Sequence, residues 1–253
     1  MLKTFALDGK VALVTGGTRG IGRALVMGLA QAGARVAFTG SRDETVSAAD
    51  AELRAAGVAA KGLVWDAASN EPPTRLVGEV DSEFGGLDIL VNCAGTIQRH
   101  PAERFPDDAW DEIINVNLSS AFRLSREAGT LMLDRGAGKI VNIASVLAYS
   151  GGRNVVAYAV SKGGLVQLTR ALATEWAPRG VNVNAIASGY IRTDLTRELQ
   201  EDETRERGLM ARVPAGRWGR PDDLVGATVF LASESADFVH GAVIPVDGGW
   251  SAA

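Results

Sequence analysis

The sequence predicts an α/β fold, a doubly wound seven-stranded parallel sheet with helices on both faces, in a single domain spanning residues 1–253. Apolar runs alternate with longer amphipathic stretches, the order that strand–helix–strand units produce. The runs are continuously apolar rather than alternating, as in strands covered on both faces. Glycines punctuate segment ends, no internal repeat interrupts the pattern, and right-handed crossovers leave few topologies.

Val11 to Thr15 reads as the first strand, and Gly20 to Ala32 as a helix ended by Gly33. Arg35 to Thr39 is the second strand, followed by a helix from Glu44 to Ala56 that stops at Gly57. Gly62 to Trp65 is a short strand, and Glu71 to Phe84 a helix with Pro72 and Pro73 in its first turn. Leu87 to Asn92 is a strand, and Asp107 to Arg135 one long helical region. Lys139 to Ser145, a helix from Ala157 to Trp176, and Val181 to Ile186 continue the alternation. A helix from Pro221 to Leu231 and a strand from Ala242 to Val246 complete it. Between them, Ser188 to Arg220 is charged and irregular, placed to cover a site.

The chain has 26 basic and 30 acidic residues, a formal charge of −4 with no block of one sign, and so no footprint for nucleic acid. One cysteine, Cys93, excludes an intrachain disulfide framework and fits a reducing compartment. Met1 to Lys10 lacks a signal peptide's apolar core, and no stretch has the length of a membrane span. The expectation is a cytoplasmic enzyme acting on a small molecule. His100 and His240 share no ligand spacing, so no metal site is expected.

Thr15-Gly16-Gly17-Thr18-Arg19-Gly20-Ile21-Gly22 joins the first strand to the first helix. Glycines there let backbone approach phosphates, and a helix N-terminus offers free N–H groups with a positive dipole end. Asp66 and Ala67 follow the third strand, where the carboxylate would accept from an adenine amino group or serve the turn. Asn92, Cys93, Ala94 and Gly95 end the fourth strand, beside the point where strand order should reverse and ligands bind.

Tyr158 and Lys162 stand four residues apart at a predicted helix start, and so project from one face. An ammonium nearby would lower the phenol pKa from about 10. Such a phenol donates a proton to a carbonyl oxygen or removes one from an alcohol. Ser145, ending the fifth strand, could hold the same oxygen. Asn117, unfavourable inside a helix without a task, could hold a water that links Lys162 to solvent or cap a helix break.

Taken together, Thr15-Gly16…Gly20-Ile21-Gly22, Asn92-Cys93-Ala94-Gly95, Asn117, Ser145 and Tyr158…Lys162 resemble the short-chain dehydrogenase/reductase family, whose fold is of the Rossmann type. The likeness runs from about Lys10 to Val246-Asp247-Gly248-Gly249-Trp250. It implies an NAD(P)-dependent oxidoreductase with Tyr158 as acid/base. Lys162 would lower its pKa and bind the nicotinamide ribose, Ser145 would orient the substrate oxygen, and Asn117 would position a relay water. It also implies a homotetramer, and cofactor contacts from Ser188, Gly189, Ile191 and Thr193. Two departures stand out. Cys93 replaces the usual second Asn, and Ser188 replaces the usual Pro; Ser188, with an N–H and a freer φ, should loosen that turn.

NAD-selective members of the family usually end the second strand with an acid. Here Ser41 and Arg42 follow that strand, and no acid precedes Asp43. Arg42 and Arg19 could pair with a 2′-phosphate, so NADP(H) is the expected cofactor, with NAD(H) possible. Arg42 could equally point to solvent, or have its charge cancelled by Asp43. Through Val213 to Gly219, Ser188 to Ile191 and the C-terminal motif, the chain resembles family members acting on sugar acids of the gluconate and 2-keto-3-deoxygluconate type. Gln98, Arg99, Arg153 and Arg192 lie on loops at the expected sheet edge, and an arginine among them would hold the substrate carboxylate. The alternatives are a 3-oxoacyl-[acyl-carrier-protein] reductase, which the acidic charge balance does not favour, and a non-catalytic dinucleotide-binding regulator, which would not need Tyr158 and Lys162 together.

Overall fold

The computed structural model describes residues 3–69 and 71–253; Met1, Leu2 and Asn70, included in the predicted domain, lie outside the described residues. The strands are β1 (Val11–Val14), β2 (Arg35–Gly40), β3 (Ala60–Val64), β4 (Ile89–Asn92), β5 (Gly138–Ser145), β6 (Val181–Ser188) and β7 (Val243–Val246). They form one seven-stranded sheet in the order β3-β2-β1-β4-β5-β6-β7, with every pairing parallel. The helices are α1 (Gly20–Gln31), α2 (Asp43–Ala55), α3 (Thr74–Phe84), α4 (Asp107–Ile114), α5 (Ser120–Arg135), α6 (Val156–Trp176), α7 (Arg197–Glu201), α8 (Glu203–Met210) and α9 (Val225–Ala232).

Strand periodicity explains the two cores. Ala12 and Val14 face one side of the sheet, where Leu25, Val26 and Leu29 of α1 and Val229 of α9 pack. Val11 and Leu13 face the other, against Leu124, Ala128 and Met132 of α5 and Leu172 of α6. Successive side chains of a strand point to opposite faces, so an apolar run is what two covers require.

Four details differ from the expectation. The long helical region is broken by a π-helical turn, Asn115–Ser119, between α4 and α5. Both prolines precede α3 rather than sit inside it, with Pro73 at its N-cap. The irregular stretch carries two short helices, α7 and α8, with Asp202 between them at φ −92, ψ 92. The turn at Ser188 is not loose. β6 runs through it in register, pairing Ser145 with Ser188 and Ser188 with Val246, and the Ser188 hydroxyl donates to the Ala144 carbonyl at 3.1 Å. A serine N–H and O–H give the strand bonds that a proline would forfeit.

Beneath the sheet edge runs a buried polar chain. Asn92 Nδ2 donates to Ser125 Oγ (3.0 Å) and Asn142 Oδ1 (2.8 Å), and Asn142 Nδ2 donates to Thr169 Oγ1 (2.9 Å). It ties β4, β5, α5 and α6 together, and Asn142 has no exposed surface. Asn142→Ala strands two partners in a dry interior, and should lower the unfolding free energy by about 1–3 kcal/mol in urea titrations; an unchanged midpoint would show that the chain is idle.

Candidate active site

Strand order reverses between β1 and β4, and the loops leaving these two strands turn apart. Thr15 bridges the gap, its Oγ1 accepting from the N–H of Cys93 (2.9 Å) and of Ala94 (3.0 Å). Gly16, at φ +67, passes so close that a Cβ there would lie 3.0 Å from Ala94 Cα. A Cβ on Gly22 would meet the Gly16 carbonyl oxygen at 2.1 Å, so only glycine closes this turn. The α1 N-cap, Arg19, makes no side-chain capping bond, which leaves first-turn N–H groups for an incoming anion.

These groups open onto a cleft of ≈ 430 Å³. It brings together Gly16, Thr18, Arg19, Gly20, Ile21, Gly22, Ser41, Asp66, Ala67, Ala94, Gly95, Tyr158, Lys162, Ser188 and Thr193. An uncapped helix end behind a glycine turn fits the pyrophosphate of a dinucleotide. Asp66 is half committed, its Oδ1 accepting from the Ala68 N–H at 2.9 Å. Arg42 lines a shallow neighbouring pocket with Thr18, Arg19 and Ser41, and no ion pair joins it to Asp43 among the described residues. Three expected contacts lie elsewhere. Asn92 is buried in the polar chain below. Ile191 is buried and bridges to Gly219. Gly189 lines the second cavity, where a Cβ would come within 2.6 Å of Asp247 Cα.

Tyr158 borders both the cleft and that second cavity, of ≈ 680 Å³. Lys162 is buried, its Nζ donating to the Ile143 carbonyl at 2.7 Å and lying 5.7 Å from the Tyr158 ring centroid. Burial pushes the Lys162 ammonium down to about 8, against an opposing pull from Cys93. The expectation that Lys162 lowers the Tyr158 pKa is corrected. Burial pushes the phenol up from its ordinary value, and the groups that oppose the rise are the Ser145 hydroxyl and the Arg99 guanidinium. Desolvation penalises the phenolate here more than neighbouring charge favours it. The Cys93 thiol is likewise pushed up, to about 12, by burial.

Asn117 sits in the π turn, which swings it beneath the site. Its Oδ1 accepts from the Thr96 N–H (2.8 Å), and its Nδ2 donates to the Thr96 carbonyl (3.0 Å) and to Ser161 Oγ (3.0 Å). Both amide protons are spent, so the side chain braces the 94–96 turn against α6.

Four arginines line the second cavity: Arg99, Arg153, Arg205 and Arg212. Arg99 and Arg153 were expected; Arg192 and Gln98 are not among them. Arg192 is exposed, over the Trp218 ring at 6.0 Å and 3.9 Å from Glu206. Gln98 donates to Glu112 Oε2 at 2.7 Å. Sequence reasoning missed Arg205, on α8, and Arg212, in the turn just beyond it, both in a mixed-charge stretch. It also missed Tyr190 and Trp250 as cavity walls. Their rings meet at 4.8 Å, and Arg212 stacks 4.0 Å from the Trp250 ring.

Tyr158 stands where the glycine-turn cleft meets the second cavity, and the chain is an NAD(P)-dependent oxidoreductase. It belongs to the short-chain dehydrogenase/reductase family, with residues 16–251 matching the family described as Enoyl-(Acyl carrier protein) reductase. It is similar to 2-dehydro-3-deoxy-D-gluconate 5-dehydrogenase of Pseudoalteromonas atlantica, 50% identical over 251 residues that cover 99% of each chain. Gluconate 5-dehydrogenase of Gluconobacter oxydans is 39% identical, over 97% of this chain and 96% of the relative. The crystal structure of a gluconate 5-dehydrogenase from Burkholderia cenocepacia in complex with NADP and tartrate superposes with a TM-score of 0.96 at 39% identity, over 100% and 99% of the chains.

Between its folded value of about 8 and its ordinary 10.5, Lys162 is protonated in the unfolded chain and neutral in the folded one. Its contribution to stability therefore rises with pH across that window. The unfolding free energy of wild type should gain on that of Lys162→Met from pH 8 to 10.5; a gap that stays constant would place the ammonium in water.

Proposed function

We propose that this chain interconverts a keto and a hydroxy sugar acid of the gluconate or 2-keto-3-deoxygluconate type, with NADP(H) preferred and NAD(H) usable. The observation that carries this reading is the cavity. Arg99, Arg153, Arg205 and Arg212 surround a space that Ser145 and Tyr158 also line. Guanidiniums suit a carboxylate, and the two hydroxyls suit the reacting oxygen. The names of the relatives support the same substrate class.

Bound in the cleft, the nicotinamide would supply the hydride chemistry. Ser145 would donate to the substrate oxygen and hold it beside Tyr158, which gives its phenol proton in reduction and recovers it in oxidation. At neutral pH the phenol, its pKa raised by burial, is protonated, the form from which reduction starts. Lys162, anchored on Ile143, would reach the nicotinamide ribose from beneath. Gly16, Thr18, Gly20, Ile21 and Gly22 would hold the pyrophosphate, Asp66 and Ala67 the adenine, and Ala94, Gly95, Ser188 and Thr193 the remaining cofactor. Arg42 with Arg19 and Ser41 would take the 2′-phosphate, a role supported by their shared pocket.

The segment from 188 to 220 would cover substrate within one cytoplasmic domain. Exposed Phe122 on α5, Val160 on α6 and nearby Tyr149 support a homotetramer built through the long helices. No helix among the described residues is long and apolar enough to cross a membrane.

Nicotinamide absorbance should show strong turnover of a keto sugar acid and little of an acetoacetyl thioester; thioester turnover alone would move the enzyme to acyl-carrier-protein chemistry. Tyr158→Phe should lose roughly 10²–10⁴-fold in rate, whereas a regulator's behaviour would not change. Arg42→Ala should raise KM for NADPH far more than for NADH, and equal effects would assign the 2′-phosphate elsewhere.

A further inference from the structure

The 194–201 segment touches both binding spaces. Asp194 and Leu195 line the dinucleotide cleft, and Leu195, Thr196 and Leu199 line the substrate cavity. It is stiff within itself: Thr193 caps it, Gln200 Nε2 donates to the Thr193 carbonyl (3.1 Å) and Thr196 Oγ1 (2.9 Å), and Arg197 pairs with Asp194. Its hold on the rest of the protein is slight, for α7 has no buried residue. α8, beyond the break at Asp202, is anchored better. Trp218 Nε1 donates to Glu206 at 2.7 Å, and in the turn after the helix Arg212 stacks on Trp250.

Two ion pairs tie the segment down, and each uses an arginine that faces a ligand space. Asp194 stands 3.8 Å from Arg19, the N-cap of the phosphate-facing helix. Glu198 stands 3.6 Å from Arg99, whose side chain is 19% exposed while that of Glu198 is 79% exposed. An anion arriving at either arginine competes with the acid already there and repels it.

We propose that Asp194 and Glu198 occupy Arg19 and Arg99 in place of ligand anions, so that cofactor phosphate and substrate carboxylate each unlatch the same segment and strengthen one another's binding. The Glu198 half rests on the sugar-acid reading; the Asp194 half does not. Once one latch is displaced, one ion pair and the hydrogen bond from Thr196 Oγ1 to the Ile191 carbonyl (2.8 Å) hold the segment, and the second ligand has less to undo. Such linkage is reciprocal. Exposed pairs limit it to about fivefold per latch in a binding constant.

The test is equilibrium binding of NADPH and D-gluconate, followed by tryptophan and nicotinamide fluorescence. Both ligands are reduced, so the ternary complex cannot turn over. In wild type, gluconate should tighten NADPH about threefold or more, and NADPH should tighten gluconate by the same factor. Asp194→Asn should bind NADPH alone about two- to fivefold more tightly, and Glu198→Gln should do the same for gluconate alone. In both variants the mutual strengthening should fall toward one. Strengthening absent from wild type, or undiminished in both variants, would overturn the proposal. If wild type with NADPH binds neither gluconate nor tartrate yet reduces the thioester, the sugar-acid reading and the Glu198 half fail together. If NADPH affinity does not change in Asp194→Asn, the Asp194 half fails alone.

Discussion

One hydroxyl holds the crevice together. The chain leaves β1 toward one edge of the sheet and later returns at β4 toward the other; the backbone ladder between them reaches the Thr15 N–H, which donates to the Val91 carbonyl at 3.0 Å, and leaves a gap beyond it. Thr15 Oγ1 closes it by taking N–H groups from two successive residues, Cys93 and Ala94, which fills both of its lone pairs. The distance between the glycine turn and the Ala94-Gly95 turn follows from those two bonds, and so does the close approach of Gly16 to Ala94. Below, the Asn92–Asn142–Thr169 chain fixes α6 relative to β4, and therefore the height at which Tyr158 and Lys162 stand.

Electrostatics at the phenol are set by dryness before charge. Lys162 lies close to Tyr158, and burial lowers its own pKa to about 8. Positive charge reaches the phenol from the substrate side instead, through Arg99, and Arg99 also faces Tyr190. A carboxylate bound to Arg99 would remove part of that help and favour the protonated phenol further. Tyr158 is thus coupled to charge across the cavity, through Arg99, rather than along α6.

Most of the fold was legible because its rules are local. Apolar runs, glycine stops and the turn after β1 are properties of neighbouring residues, and crossover handedness left few topologies. The Tyr158–Lys162 pair was legible for the same reason, being one helical turn. What sequence could not supply was side-chain partnership across the chain. Asn92 looked like a cofactor contact because it ends a strand at the crevice, but its side chain points inward to Asn142, a partner 50 residues away. Arg192 looked like a substrate contact because it follows β6, but Trp218 and Glu206 draw it outward. Arg205 lines the cavity from α8, a helix hidden in sequence by its polarity and by the lack of a buried face, and Arg212 lines it from the turn that follows. Ser188 misled differently: the loss of proline restriction read as looseness, whereas the freed N–H and hydroxyl lengthened the strand.

Asn154 is the one described non-glycine residue with a left-handed backbone, at φ 63, and its carbonyl accepts the His100 N–H at 2.9 Å. That bond joins the loop carrying Arg99 to the loop carrying Arg153. Two walls of the second cavity are therefore stitched to each other, so a shift of either loop is passed to the other, and the spacing of Arg99 and Arg153 is set by one peptide contact rather than by the sheet beneath.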